Sequence, residues 1–153
     1  MTEQASSPAV DAWVGLLRAH AAATRSLSAG LLAEHGLSIN DYEALLHLSR
    51  EPRGIRRVDL AGKLLLTASG VTRLLDGLEE AGWVAKRSCD TDARVTYAVL
   101  TDAGREKFLE AQCSHVRAIR ETFESRLGAD ELRTLAALLE RLPAVGDCPP
   151  GAP

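Results

Sequence analysis

Aromatic residues make up only 4% of this 153-residue chain, two each of Trp, Tyr and Phe. A core with so few rings must be built from Leu, Val and Ala, which suits helices better than a β-sandwich. No apolar run approaches the roughly 20 residues needed to span a bilayer. The amino-terminal stretch MTEQASSPAVD has neither a charged n-region nor an apolar h-region, so no secretory signal is expected and the cytoplasm is the expected compartment. Cysteine is scarce and unpaired. Cys89, Cys113 and Cys148 are odd in number and lack CxxC spacing, which argues against a disulfide framework and against a structural zinc site. Cys113 and His115 are two apart and do not share a helical face, so no metal site is expected there. No nucleophile–base constellation, phosphate loop or HExxH motif occurs, so neither an enzyme nor a cofactor is expected.

What is present is enough chain for one domain with a real core. The net charge is −3, but its distribution matters more than its total. Residues 50–94 carry nine Lys/Arg against seven Asp/Glu, while the remainder carries nine against fourteen. Positive charge is concentrated in one segment, and that segment has a particular order of elements.

Residues 1–8 are polar and expected to fray. From Ala9 to about His35 apolar residues recur on two adjacent faces, Val10, Val14, Leu17 and Ala21 on one, Trp13, Leu16, His20 and Leu27 on the other. Two apolar faces on one long helix imply burial on two sides. Gly36 stops this helix. Ser38 and Asp41 make a capping box for a second helix, with Tyr42, Leu45, Leu46 and Ser49 expected inside. After the Pro52–Gly54 break, a short third helix spans about Arg57 to Leu64, with Val58, Leu60, Ala61 and Leu64 expected inside. Thr67 caps a fourth helix, with Val71, Leu74, Leu75 and Leu78 inside and Ser69, Thr72, Arg73 and Asp76 outside. Gly82 ends it. Trp83–Arg87 and Val95–Leu100 are the expected strands of a hairpin whose charged loop is Ser88–Arg94. Thr101 caps a fifth helix with a stripe of Phe108, Gln112, Val116, Ile119, Phe123 and Leu127. A sixth helix follows Gly128, striped by Leu132, Leu135, Leu139 and Leu142.

The expected fold is therefore mainly α: about six helices and a two-stranded β-hairpin wing. Helix, two- to three-residue turn, helix, then hairpin is the order of a winged helix-turn-helix, whose second helix enters a major groove. Thr67, Ser69 and Thr72 offer hydroxyls to phosphates or base edges, and Arg73 can bridge guanine O6 and N7. The expected wing contacts are Lys86, Arg87 and Arg94, with Asp92 orienting the loop or an arginine. Duplex DNA is the partner this chemistry implies.

At Asp92, Arg94, Leu100-Thr101 and Gly104 the chain resembles the MarR family of bacterial transcriptional regulators, and the order of helices and hairpin over about Ala9 to Leu142 is similar too. The resemblance implies a homodimer built from the first, fifth and sixth helices, binding a pseudopalindromic operator. The fourth helix would lie in the major groove and the wing arginine in the minor groove. It further implies repression of nearby genes, with release on binding a small effector, often an aromatic acid. On this frame residues 9–36 are a dimerisation helix, 37–101 the DNA-binding lobe, 102–143 the C-terminal dimerisation helices and 144–153 a flexible tail. The interface is expected at Val10, Val14, Leu17, Phe123, Leu135, Leu139 and Leu142. For an effector between lobe and dimerisation helices, side-chain chemistry nominates Trp13 to stack, Arg18 to pair a carboxylate, and His20 and His47 to hydrogen-bond. The family motif does not specify these four. Two alternatives stand beside this: a repressor sensing oxidants through Cys89 or Cys113, and a helical protein-interaction module without DNA binding.

Overall fold

The computed structural model describes residues 7–88 and 95–142. The elements run α1 (Pro8–His35), α2 (Ile39–Ser49), β1 (Ile55–Arg56), α3 (Arg57–Leu64), α4 (Ala68–Glu80), β2 (Val84–Ser88), β3 (Thr96–Leu100), α5 (Asp102–Glu124) and α6 (Ala129–Leu139). The fold is mainly helical with a small antiparallel sheet. Two compact units divide the chain, residues 1–116 and 117–153, and α5 runs through the boundary.

Local chemistry sets most element ends. Ser7 accepts a hydrogen bond from Ala9 N, and Pro8 occupies the first turn of α1, where its missing N–H costs nothing. Gly36, at φ 67°, closes α1 in the left-handed conformation. The Ser38–Asp41 capping box starts α2: Asp41 N donates to Ser38 Oγ and Ser38 N to Asp41 Oδ2. Thr67 Oγ1 accepts from Gly70 N at the start of α4.

The first unit holds the core. Leu37, Leu45, Leu48, Leu60, Val71 and Leu78 are fully buried, and Tyr42, Ile55, Val84, Ala98 and Phe108 pack with them. Each buried Leu or Val contributes about 1.5–3 kcal/mol relative to exposure. Several details depart from the periodicity. Ala44 and Leu48 bury on α2, whereas Leu46 and Ser49 are half-buried. On α3, Val58 is 68% exposed, because the core meets that helix at Leu60, Ala61 and Leu64. On α5 the buried line is Gly104, Phe108, Ala111 and His115 rather than the stripe through Gln112 and Val116, which is half-buried at the first and exposed at the second.

The hairpin is part of a three-stranded sheet, not a two-stranded one. The order is β1-β3-β2, with Ile55 opposite Ala98 and Arg56 opposite Tyr97 on one side, and Val84 through Ser88 opposite Leu100 through Thr96 on the other. Two residues before a helix carry no strand periodicity. β1 forms because Gly54, at φ 88°, turns the chain onto β3; a Cβ there would come within 2.6 Å of Val99 Cγ1 and 2.7 Å of Ala98 O. Trp83 and Val95, expected in strands, lie just outside them.

The base of the wing is stapled at one point. Thr101 N donates to Trp83 O, Thr101 Oγ1 donates to Gly82 O and accepts from Gly104 N, and Trp83 N donates to Leu78 O. The end of α4, the root of both strands and the start of α5 thus share one set of hydrogen bonds. Gly104 is required by this approach, since a Cβ on it would sit 2.0 Å from Trp83 O.

In the second unit, Glu131 Oε2 accepts from Gly128 N at 2.8 Å to begin α6, and Asp130 pairs with Arg133. Phe123, Leu127, Leu132 and Leu135 are half-buried, and Leu138, Leu139 and Leu142 are exposed. Leu142 lies beyond the end of α6. Among the described residues no helix is long and apolar enough to cross a membrane. The segments expected to fray or to be flexible, apart from Ser7 and Pro8, lie outside the described residues.

Candidate nucleic-acid interface

α3 and α4 form a helix-turn-helix. Leu65 adopts the left-handed conformation at φ 53°, and Leu66 N donates to Ala61 O. The chain then reaches Thr67, which caps α4. Val71, Leu75 and Leu78 bury one face of α4, so Ser69 and Arg73 are exposed on the other and Thr72 is half-buried. Arg73 makes no hydrogen bond or ion pair among the described residues, leaving its whole fork available.

The hydroxyls are partly occupied. Thr67 Oγ1 caps the helix and lies 3.2 Å from Ser69 Oγ. Thr72 Oγ1 donates to Ala68 O at 2.9 Å and keeps its lone pairs. Arg57 Nη1 comes within 3.5 Å of that oxygen. Arg57 was not singled out from the sequence. It opens α3, fifteen residues before Thr72, and only the crossing of the two helices brings it beside the exposed face of α4. Its neighbour Arg56 is closed onto Asp59 by two hydrogen bonds, at 2.7 and 3.1 Å.

Strand alternation separates the two basic residues of the wing. Lys86 is opposite Ala98, which is buried and in turn opposite Ile55, so Lys86 lies on the inner face. There its Nζ is 2.8 Å from Glu79 Oε2 and 3.8 Å from Asp76 Oδ1, both on α4. The hydrogen bond to Glu79 raises the Lys86 pKa above its ordinary value, so the ammonium stays charged. Arg87 lies on the outer face, where its guanidinium carbon sits 6.0 Å from the centre of the Tyr97 ring and Nη2 donates to Arg53 O. Lys86 and Arg87, both expected as wing contacts, thus lie on opposite faces of the sheet. Adjacent strand residues point to opposite sides, so the strand's alternation alone implies this separation. Asp92 and Arg94 lie outside the described residues, as does Cys89.

Between α3, α4 and the sheet runs an open groove of about 410 Å³, lined by Arg57, Val58, Leu75, Glu79, Lys86 and Ala98 among others. None of the residues nominated for an effector lines it. Trp13, Arg18 and His20 are exposed on α1, and His47 is half-buried on α2. At about 100° per residue, Trp13 and His20 share a face of α1 and Arg18 is turned well away from both. Burial, then the charges of Lys63 and Arg50, hold the His47 pKa below the usual histidine value, against the opposing pull of Glu43.

His115 was not nominated for any site. It is 7% exposed, its ring centre lies 4.4 Å from that of Tyr42, and its Nδ1 is buried without a hydrogen-bond partner among the described residues. Burial lowers its pKa. Close by in sequence, Ser114 Oγ is 2.6 Å from His35 Nε2 at the end of α1. Cys113 is exposed with a free thiol.

A helix-turn-helix with an exposed guanidinium, followed by a hairpin rooted at the end of its second helix, defines a winged helix-turn-helix DNA-binding protein. The comparisons carry the assignment further. A model of the MarR family matches residues 35–95. YkoM of Bacillus subtilis (strain 168), an HTH-type transcriptional regulator, is 31% identical over 136 residues, covering 86% of either chain. AbsC of Streptomyces coelicolor, a MarR family transcriptional regulator, is 30% identical with a TM-score of 0.76 and 92% coverage of both chains. Sco3205 from the same organism, solved in complex with DNA, has a TM-score of 0.77 at 27% identity, over 84% of this chain and 81% of its own. The chain belongs to the MarR family: it is a DNA-binding transcriptional regulator and not an enzyme.

Proposed function

We propose that the protein is a homodimeric repressor that binds a pseudopalindromic operator and acts in the bacterial cytoplasm, where that DNA is. The observation that carries the DNA contact is the exposed face of α4, with Ser69, an Arg73 that makes no hydrogen bond or ion pair among the described residues, and Thr72 beside Arg57. α4 enters the major groove, Arg73 reads base edges, and Thr67, Ser69, Thr72 and Arg57 hold phosphates. Arg87 supports the wing from its outer face, and Arg94 takes the minor groove with Asp92 orienting it. Residues 37–101 form the DNA-binding lobe. The dimer forms through residues 9–36 and 102–143, a reading supported by the exposed apolar side chains Val10, Trp13, Leu16 and Leu17 on α1 and Leu138, Leu139 and Leu142 near the chain end. A dimer over two half-sites about one helical turn apart occludes a promoter, which favours repression.

A small aromatic carboxylate relieves repression by preferring a spacing of the two lobes that misfits successive major grooves; equal affinity for both arrangements would shift nothing. Arg18 pairs the carboxylate, and Trp13, His20 and His47 are the further candidates to stack on the ring or hydrogen-bond the ligand. Arg18→Ala abolishes the ligand effect while leaving free-dimer DNA binding intact; ligand binding by Arg18→Ala as tight as wild type overturns this role.

The decisive experiment is a gel-shift with the intergenic DNA upstream of the protein's own gene, wild type against Arg73→Ala. If Arg73 reads a base, the variant loses discrimination between that DNA and random duplex, by about 1–3 kcal/mol. Equal weakening on both assigns it to phosphate, and no binding by the wild type to any upstream DNA overturns the operator reading.

A further inference from the structure

The inner face of β2 begins with buried Val84 but continues with Lys86 and Ser88. Beyond Val84 no apolar side chain ties this strand to α4. In place of one, the Lys86 ammonium reaches across to Glu79 and Asp76, the two acids on the facing side of the last turns of α4. Glu79 is half-buried, and its second carboxylate oxygen, Oε1, is buried without a hydrogen-bond partner among the described residues. With Oε1 unpartnered, this carboxylate makes its side-chain polar contact among the described residues through Oε2 alone, and needs a cation there. Lys86 supplies it. The covalent link between the two elements is three residues, Ala81 to Trp83.

We propose that Glu79 and Lys86 are positioning residues that set the angle between the recognition helix α4 and the wing, so that Lys86 serves operator recognition without touching DNA. Val84 to Ser88 spans about 13 Å at the usual rise per residue, so a pivot of roughly 10° at the root moves the strand end about 2 Å. That displacement exceeds the tolerance of a hydrogen bond to a fixed phosphate or base edge. The strap therefore bears on operators, where α4 and the wing must fit at once. On random duplex, held by diffuse phosphate contacts, it has little to bear on.

The sign of one substitution separates this role from the alternatives. Glu79→Gln is nearly isosteric and removes a negative charge from a DNA-binding face. Were Glu79 a bystander, or were Lys86 a phosphate contact restrained by it, the variant would bind operator more tightly. With the strap, it binds operator about tenfold more weakly and random duplex as well as or better than wild type. Lys86→Met weakens operator binding similarly, Lys86→Arg retains wild-type discrimination, and the Glu79→Gln/Lys86→Met double variant is no weaker than the worse single one, since the partners act as one unit.

This rests on the operator reading above. Wild type is measured first on the same upstream DNA; if it binds, that reading stands, whatever the variants do. Unchanged or tighter operator binding by Glu79→Gln overturns the strap, as does additivity in the double variant. Thermal melting of each dimer accompanies the binding assays. If Glu79→Gln melts early, the Lys86→Arg and Lys86→Met pair decides: loss of discrimination in Lys86→Met alone supports the strap, and equal behaviour of the two overturns it.

Discussion

The lobe of residues 37–101, with the first half of α5 packed into its core, and the helices on either side of it treat the same kinds of side chain in opposite ways. In the lobe, Leu45, Leu48, Leu60, Val71 and Leu78 are shut away from water. On α1, only Leu31 is buried, and Val10, Trp13, Leu16, Leu17 and Leu32 remain exposed; α6 buries no side chain at all. The lobe satisfies itself. The flanking helices carry apolar surface that a single chain leaves uncovered, and soluble proteins rarely leave so much of it bare. One region buries its apolar side chains, and the other leaves many of them exposed.

The sharpest way to break the comparison is to damage the lobe alone. Gly104→Ala drives a Cβ into Trp83 O, 2.0 Å away, and no flexible side chain is there to give way. It is expected to cost on the order of 3–5 kcal/mol or to abolish folding. A melting temperature within a few degrees of wild type would mean that α5 does not depend on this contact.

The complementary change targets the other region. Trp13, 58% exposed, is expected to be covered in the dimer. Trp13→Ser then loses about 2 kcal/mol of association, roughly thirtyfold in the dimer constant, with little effect on the lobe. Sedimentation or light scattering against concentration reads this directly. An unaltered dimer constant would remove this face of α1 from the interface.

Acid sharpens the contrast from within. Burial holds the pKa of both His115 and His47 below the ordinary histidine value of about 6.5. The unfolded chain therefore takes up protons first. Stability is full above about pH 6.5 and falls as pH drops below it, levelling off only below the folded-state values. Thermal melts between about pH 7.5 and pH 5 are expected to show this fall, and His115→Gln to reduce it. A melting temperature independent of pH over that range would contradict it.

The smallest expected effect lies in the turn of the helix-turn-helix. Leu65 is 66% exposed and sits at φ 53°, a conformation that suits glycine. Leu65→Gly gives up little burial and relieves that strain, and a gain of about 0.5–1 kcal/mol is expected from chemical denaturation. A loss of stability would show that the exposed leucine packs against something in the dimer.

Local signals determined much of this protein. Ser38 with Asp41, Thr67, Gly36, Gly82 and Thr101 marked helix ends, because capping is a matter of neighbours in the chain. Periodicity marked α4, because one-sided burial imprints a 3.6-residue repeat. The charged hairpin after α4 pointed to DNA. Tertiary structure alone decided the rest. β1 exists because β3 is there to pair with it, and two residues cannot announce a strand. Val58 is outside and His115 inside because helix packing, not hydropathy, chose which side of α3 and α5 met the core. Arg57 reaches Thr72, and Lys86 reaches Glu79, across gaps of fifteen and seven residues that only the crossing of elements closes. Which side chains are polar was written in the chain; which of them meet depends on the angles at which its helices and strands pack.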